Sequence, residues 1–191
     1  MSQQERWRTL ARRRQNHLPH HAPPKSGKLL GLVVLNAACY EHAPYMNSLK
    51  RRRQVSGALM DLMNQIQAEV HAWIVLPNHY HFLVDLIVPV DPRPLLGKVH
   101  GRLSREWNRE DDCQGRKVWY QSFERPIRSR HHYYTTLNYI HHNAVKDGYC
   151  KNWQDWETGS AREFLKVVGR KRALEIWRCF PIKGYGKSIE G

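Results

Sequence analysis

Two strand-like runs separated by only four residues constrain the fold more than any other part of the sequence. Residues 71–76 (HAWIVL) and 81–88 (HFLVDLIV) are rich in β-branched, aromatic and other apolar residues, a composition typical of strands. The intervening residues 77–80 are Pro-Asn-His-Tyr, which leaves room only for a hairpin-like turn or a bulged join. We therefore expect the two runs to be neighbouring strands of one sheet.

The remaining periodic segments place this hairpin within a longer pattern. Strands are predicted over residues 29–38 and 117–128, and apolar residues at helical spacing predict helices over 45–69, 92–109 and 130–147. The order begins with the β-α-β-β-α-β pattern of ferredoxin-like folds and ends with an additional helix. We expect an α+β fold with an antiparallel sheet, helices on one face, and a second face open to a ligand or a further helix.

The chain length suits one domain with basic terminal segments. Its 191 residues correspond to a single domain of ordinary size. Residues 1–28 are basic, contain three prolines and show almost no apolar periodicity, which predicts either a disordered tail or an arm that grips phosphates. We place the folded domain at residues 29–160 and a basic C-terminal tail at 161–191, with one basic helix over 162–180.

An excess of positive charge indicates the class of partner. Lys and Arg total 31 against 17 Asp and Glu, which gives a net charge of +14. Such an excess favours polyanions, with nucleic acid ahead of an anionic membrane surface. The longest apolar run, residues 29–39, is too short to span a bilayer, and no apolar signal core follows the basic N-terminus. We therefore expect a soluble, cytoplasmic protein.

The four cysteines predict neither a zinc site nor a redox pair. Cys39, Cys113, Cys150 and Cys179 are all separated by more than four residues, whereas zinc and dithiol motifs place two cysteines closer together. In a cytoplasmic protein we expect four reduced thiols.

Two histidines at the start of the third predicted strand suggest part of a metal site. His79 and His81 are two positions apart, so both imidazoles lie on one face of a strand. Two convergent imidazoles form half of a typical metal site. The chain contains 12 histidines, and the alternative is two ordinary surface side chains. A complete site needs a third ligand from elsewhere.

The helix predicted over residues 130–147 carries polar side chains beside its apolar stripe. Tyr139 and Asn143 are one turn apart on the same face, and Lys146 lies on a neighbouring turn. This face could present a phenol, an amide oxygen and a cation toward one point. The alternative for Tyr139 is ordinary packing in a core or an interface, since phenols pack well.

Three blocks of the sequence resemble a known family. They are, in chain order, WIVLPNHYHFLV, SFERPIRSRHHYYTTLNYIHHNAVKDGY and DWETGS. Together they resemble the REP-associated tyrosine transposases, which are single-tyrosine HUH endonucleases close to the transposases of the smallest bacterial insertion sequences. The shared signature is a strand ending in Pro-Asn/Glu-His-x-His, a strand ending near Ile-Arg, and a helix of pattern Tyr-Ile-x-x-Asn-Pro-Val-Lys-x-Gly. The resemblance extends over roughly residues 29–160.

The resemblance implies an enzyme and assigns roles to four residues. It implies that His79 and His81 bind a divalent cation, Mg²⁺ or Mn²⁺, with Asn143 as the third protein ligand. Tyr139 would be the nucleophile. The implied reaction is metal-dependent cleavage and strand transfer on single-stranded, hairpin or palindromic repeat DNA, with a 5′-phosphotyrosine intermediate and a free 3′-OH.

Two positions depart from the family pattern, and three other functions remain open. Tyr80 replaces a plain hydrophobic residue and Ala144 replaces a proline, but neither change removes a chemical group. A non-catalytic single-stranded nucleic-acid-binding module would present a glycine-aromatic motif that is absent here. A regulator derived from a transposase would have lost catalytic residues. A zinc hydrolase would need a further ligand, and Asp85 on the same strand face is distant from His81.

Clusters of lysine and arginine supply candidate DNA contacts. These side chains neutralise phosphates, although a solvated charged face is the alternative for any one cluster. The candidates are Lys50, Arg51, Arg52, Arg53, Lys98, Arg102, Arg105, Arg128 and Lys146. The expected partner is single-stranded or hairpin DNA, bound by a monomer or a homodimer.

Overall fold

The computed structural model describes residues 27–120 and 122–182. Its strands are β1 (Leu29–Ala38), β2 (Ala68–Val75), β3 (His79–Val90) and β4 (Phe123–Pro126). Its α-helices are α1 (Leu49–Gln65), α2 (Pro92–Glu110), α3 (Arg130–Lys146), α4 (Ala161–Val168) and α5 (Arg170–Cys179). Nearly all of the basic arm predicted over residues 1–28, and residues 183–191 of the predicted tail, lie outside the described residues.

The four strands form one antiparallel sheet in the order β2-β3-β1-β4. β2 and β3 form the predicted hairpin, and the Leu76 amide donates to the His79 carbonyl across its turn at 2.8 Å. β1 lies between β3 and β4 and pairs with β3 from Leu29↔Val90 to Ala38↔His79. This strand order, with α1 and α2 as the connecting helices, confirms the ferredoxin-like α+β prediction.

The three long helices each begin at a side-chain cap. Ser48, Asp91 and Ser129 accept hydrogen bonds from backbone amides in the first turns of α1, α2 and α3. The cap at Ser48 explains why α1 starts at Leu49, later than apolar spacing alone predicts. At the other end of α3, Gly148 adopts a φ of 77°, which only glycine does without strain, and the helix ends as predicted.

Helices α1 and α2 cover one face of the sheet. Tyr80 and Phe82 of β3 point to this face, where they are buried with Leu59 of α1 and Trp107 of α2. Because side chains alternate along a strand, the two histidines that flank Tyr80 face the opposite side of the sheet. Tyr80 therefore lies on the face predicted for it, away from the candidate metal ligands.

Helix α3 covers the second face of the sheet. Leu137, Ile140 and Ala144 of α3 are buried against Ile74 of β2 and Leu83 of β3. The additional helix thus occupies the face that the ferredoxin-like pattern leaves open. This arrangement places the polar side chains of α3 opposite the first residues of β3.

The C-terminal helices pack on the outer side of α3. Asn138 donates from Nδ2 to the carbonyls of Ile176 and Phe180, at 3.2 and 2.8 Å. The His142 ring stacks on Trp177 with ring centroids 3.5 Å apart. Helix α3 is therefore held between the sheet and α5. A domain boundary at residue 160 stays a prediction.

Two further elements differ more strongly in extent from the prediction. The strand predicted over 117–128 is limited to Phe123–Pro126, and the described residues before it form only an isolated bridge, Cys39↔Trp119, just beyond the end of β1. The single helix predicted over 162–180 divides into α4 and α5 at Gly169. The φ of 76° at this glycine lies in the left-handed region and cannot continue a right-handed helix.

The structure also bears on the predictions about membrane-spanning helices and about the cysteines. Within residues 27–120 and 122–182, no helix is both long and apolar enough to cross a bilayer. Cys39, Cys113, Cys150 and Cys179 are all free thiols, in agreement with the predicted absence of disulfides.

A buried histidine of α2 makes the stability of the fold depend on pH. His100 is buried, its Nε2 lies 3.0 Å from the Tyr80 hydroxyl, and its ring stacks on Trp119 at 4.3 Å. Burial lowers the pKa of His100 to about 4, because the charged imidazolium loses its hydration. The folded protein therefore holds this ring neutral at pH values where the unfolded chain protonates it.

We expect the free energy of unfolding to decrease as the pH falls from about 6.5 toward about 4, because the unfolded chain binds more protons there. At about pH 5 the contribution of His100 is about 2 kcal/mol. His100→Asn, which cannot titrate but retains polar atoms near Tyr80, should reduce the slope of this dependence in urea unfolding measured across the pH range, while the buried His141 and His142 maintain the rest of it. An identical slope in the variant and the wild type would contradict the assignment.

Candidate active site

The two histidines at the start of β3 are buried and close together. His79 and His81 have ring centroids 5.0 Å apart, and His81 is 2% exposed. Asn78 donates from Nδ2 to the His42 carbonyl at 3.3 Å, and this bond directs its Oδ1 toward His79 Nδ1 at 2.8 Å. Because Oδ1 can only accept, Nδ1 carries the proton, and in the neutral ring Nε2 carries the lone pair that a metal requires.

Helix α3 brings two of the predicted residues to the histidines. Tyr139 is 1% exposed and its ring centroid lies 5.3 Å from that of His81. Asn143, one turn later, is fully buried. Because α3 packs flat on this face of the sheet, residues spaced by one turn lie in a row above β3.

Several polar atoms at this point have no protein partner. Both ring nitrogens of His81 and both amide atoms of Asn143 are buried without a hydrogen bond. A buried polar atom left unpaired costs about 1–3 kcal/mol, so native proteins rarely retain a group of them. Burial, followed by the nearby His79 and Lys146, lowers the pKa of His81 well below its ordinary value. A neutral imidazole and an amide oxygen are therefore available as ligands.

Charged side chains surround the end of α3. Lys146 Nζ lies 5.3 Å from the Tyr139 ring centroid and 3.7 Å from Asp147 Oδ1. The other carboxylate oxygen of Asp147 lies 3.9 Å from His79 Nε2. The site thus combines a phenol, a cation, a carboxylate and unpaired ligand atoms.

His79, His81 and Asn143 could hold a cation that accepts imidazole and amide ligands. In the part of the chain that the structure describes, no group of three or more His, Cys, Asp or Glu side chains could hold a metal ion. A ligand set built from His79 and His81 must therefore include another type of group, and Asn143 supplies an amide. The zinc-hydrolase alternative needs a third histidine or a carboxylate, and a carboxylate oxygen of Asp147 lies 3.9 Å from His79 Nε2, so this alternative stays open.

The basic cluster at the start of α1 is engaged within the protein. Lys50 and Arg51 contact Glu110 at 2.6 and 3.2 Å, and Arg51 also contacts Asp111 at 2.5 Å. Arg52 donates to backbone carbonyls and lies over the Trp156 ring at 4.9 Å. Arg53 pairs with a glutamate of the loop before α4. These contacts compete with phosphate, and a DNA-binding role for this cluster stays a prediction.

The other basic candidates are more accessible. Lys98, Arg102 and Arg105 are exposed on α2, and Arg128 is exposed just before α3. Lys146 is also exposed, and it lies beside Tyr139, with its Nζ 5.3 Å from the ring centroid. Contact between any of these residues and DNA also stays a prediction.

Comparison with known protein families identifies the family to which the chain belongs. The sequence model described as "Transposase IS200 like" matches residues 38–143, which is more than half of the chain and includes both histidines, Tyr139 and Asn143. The chain belongs to the IS200-like transposase family. This membership identifies it as a transposase, an enzyme that acts on DNA, and confirms the family predicted from the sequence.

One solved structure and a search of curated proteins complete the comparison. The structure described as "Structure of the REP associates tyrosine transposase bound to a REP hairpin" superposes with a TM-score of 0.57 at 19% identity. The match covers 80% of this transposase and 87% of that chain, and it confirms the fold. Among the curated proteins, none matches this transposase.

Two residues near the site were not predicted from the sequence of this transposase. Asn78 orients His79 and lies within the quoted histidine motif, so its position could have suggested the role. Asp147 follows Asn143 by one helical turn and therefore lies on the same face of α3. Helical spacing alone could have found it, but its approach to His79 depends on how α3 packs on the sheet.

We expect Arg51 to stabilise the fold rather than to bind DNA. Its side chain is 15% exposed, contacts two carboxylates, and lies 5.3 Å from the Trp107 ring. Arg51→Ala should lower the free energy of unfolding by about 1 kcal/mol, because it removes the packing of the arginine side chain on Trp107 together with solvent-screened ion pairs. Arg128→Ala serves as the comparison in urea unfolding and in DNA-binding titrations. Weaker DNA binding by Arg51→Ala without a loss of stability would refute this assignment.

Proposed function

We propose that this transposase is a metal-dependent single-strand DNA endonuclease and strand transferase with Tyr139 as its nucleophile. The observation that carries the proposal is the position of the Tyr139 ring, 5.3 Å from His81 and one helical turn from Asn143. The unpaired atoms of His81 and Asn143 support it further. Residues 29–160 form the catalytic domain in this proposal, and residues 1–28 and 161–191 are basic terminal segments.

The proposed metal ligands are His79, His81 and Asn143, and the proposed cation is Mg²⁺ or Mn²⁺. When bound, the cation neutralises charge on the oxygens of the scissile phosphate as a Lewis acid. Two nitrogen ligands favour Mn²⁺. Asn78 holds His79 in the tautomer that offers Nε2.

In the proposed reaction, the phenolic oxygen of Tyr139 attacks the phosphorus of the scissile phosphodiester. A bond forms between this oxygen and phosphorus, and the bond between phosphorus and the 3′ oxygen breaks. Tyr139 loses its proton, the departing oxygen takes one up as a 3′-OH, and the DNA 5′ end remains attached as a phosphotyrosine. The ammonium of Lys146, 5.3 Å from the centroid of the Tyr139 ring, supplies positive charge beside the reacting groups.

Strand transfer follows from the same intermediate. The phosphotyrosine retains a phosphoester bond, so attack by the 3′-OH of another strand restores a phosphodiester and releases Tyr139. The exchange needs no external energy source because one phosphoester replaces another. A single nucleophile acts on one strand at a time, which suits single-stranded or hairpin DNA.

The proposed substrate is hairpin or palindromic repeat DNA. The net charge of +14 supports a polyanionic partner. The structurally similar REP-associated tyrosine transposase is described as bound to a REP hairpin, and we extend this type of ligand to the present chain. Exposed basic residues such as Arg102, Arg105 and Arg128 are the proposed phosphate contacts.

Tyr139→Phe should abolish a covalent protein–DNA adduct while non-covalent binding survives, because only the attacking oxygen is removed. Labelled hairpin oligonucleotides are incubated with Mn²⁺, and the adduct is detected by denaturing gel electrophoresis. Tyr134→Phe, on the same helix, is the matched control and should form the adduct. An adduct with Tyr139→Phe would refute the nucleophile, and binding by the wild type without any adduct would favour a non-catalytic module.

Mn²⁺ should raise the thermal unfolding midpoint of the wild type, because an ion that binds only the folded state stabilises it. His81→Ala and Asn143→Ala should each remove most of this shift, which scanning calorimetry measures without reference to activity. His131→Ala, an exposed position in the first turn of α3, should retain it. An equal shift in all four proteins would contradict the ligand set.

A further inference from the structure

A carboxylate lies beside the two histidines of the candidate site. Asp147 is the C-terminal cap of α3, and its Oδ2 lies 3.9 Å from His79 Nε2. Its side chain is 25% exposed, so the surrounding protein covers most of it. The backbone amide of Asp147 donates to the Asn143 carbonyl at 2.9 Å. The end of α3 therefore fixes this carboxylate next to the proposed metal ligands.

The nitrogen of His79 that lies near Asp147 is the one that would bind a metal. Asn78 Oδ1 lies 2.8 Å from His79 Nδ1 and accepts its proton, so Nε2 offers its lone pair on the side of Asp147. Bonds from Mg²⁺ to its ligands are about 2.1 Å long, and two such bonds span about 4.2 Å. The observed separation of 3.9 Å lies within this span, and one cation can therefore contact both atoms.

The two oxygens of this carboxylate face different neighbours. Oδ1 lies 3.7 Å from Lys146 Nζ, whereas Oδ2 is the oxygen near His79. Lys146 Nζ also lies 5.3 Å from the centroid of the Tyr139 ring. The ammonium is thus placed to hold one oxygen of Asp147 while the other remains directed at the histidine.

The negative charge of Asp147 is unfavourable at this position unless a cation accompanies it. The chain carries 31 Lys and Arg against 17 Asp and Glu, a balance that favours a polyanionic partner. In the proposed reaction the scissile phosphate lies next to Tyr139, where a nearby carboxylate would repel it. A divalent ion bound between the two groups reverses this interaction, because it is the largest local charge.

The carboxylate completes a ligand set that lacks formal charge. His79, His81 and Asp147 do not by themselves form a metal cluster among the described residues, so the set also needs Asn143, whose amide atoms are buried without a hydrogen bond. Two imidazoles and an amide are neutral and suit transition metals. Mg²⁺, in contrast, is bound mainly through carboxylate oxygens. Asp147 therefore affects which ion the site prefers.

We propose that Asp147 is a fourth protein ligand of the catalytic cation and that its carboxylate enables the site to bind Mg²⁺ as well as Mn²⁺. This inference rests on the proposed function for the existence of the cation site. It adds to His79, His81 and Asn143 a residue to which the family resemblance assigns no role. Without Asp147, the ligand set is neutral and its two nitrogen atoms favour Mn²⁺.

The test measures ion binding in the absence of DNA, so that its readout is independent of catalysis. Asp147→Asn removes the charge of the side chain and keeps its shape. Asp61→Asn is the matched control, because it makes the same change of charge at an exposed position of α1, on the other face of the sheet. Electron paramagnetic resonance of free Mn²⁺ gives the Kd for Mn²⁺, and displacement of bound Mn²⁺ by Mg²⁺ gives the Kd for Mg²⁺.

We expect Asp147→Asn to raise the Kd for Mn²⁺ about tenfold and the Kd for Mg²⁺ about a hundredfold relative to Asp61→Asn. Losses of this size follow changes around a metal site, and Mg²⁺ depends more strongly on charged oxygen ligands. Equal Kd values in the two variants would overturn the proposal. A loss by the same factor for both ions would also overturn it, because a nearby charge that does not bind the ion acts equally on both.

The outcomes separate this inference from the proposed function. Mn²⁺ binding that is lost in His81→Ala but unchanged in Asp147→Asn would overturn the fourth ligand alone. A wild type that binds neither ion would overturn the whole proposed ligand set, including Asp147. The adduct assay with Tyr139→Phe is a separate measurement, and it tests the nucleophile whatever the ion preference is.

Discussion

The packing of α3 on the second face of the sheet is the contact on which the candidate site depends. Leu137, Ile140 and Ala144 bury the apolar stripe of this helix against β2 and β3. The same packing holds the neighbouring stripe, with Tyr139 and Asn143, over the histidines of β3. Hydrophobic burial therefore determines the approach of groups that have no strong attraction for one another. On the outer side, the bonds of Asn138 to the C-terminal segment hold α3 in this position.

Much of the fold was predictable because its signals are local. The four-residue join between β2 and β3 required a hairpin, and period-two and period-3.6 patterns identified the other strands and long helices. Strand geometry predicted that His79 and His81 lie on the same face of β3. Helix geometry predicted that Tyr139 and Asn143 lie on the same face of α3. Periodicity did not predict that α3 places both pairs together; for that meeting the resemblance to a family supplied the expectation.

Features set by tertiary contacts were less predictable. The length of β4 depends on how far its chain follows β1, and before Phe123 the described residues form only the isolated bridge Cys39↔Trp119. The basic residues 50–53 suggested a phosphate-binding surface, but acidic residues from distant parts of the chain contact three of them. Charge composition identifies a class of partner, whereas only the folded structure indicates which cations are already engaged.

The burial of Tyr139 has a consequence for how such a protein behaves before it meets its substrate. A phenol that is 1% exposed is out of reach of any phosphate that merely collides with the surface. In the proposed reaction, cleavage therefore requires a structural opening, and part of the favourable binding free energy of DNA is used to drive it. A nucleophile held in this way stays latent until a bound ligand uncovers the side chain.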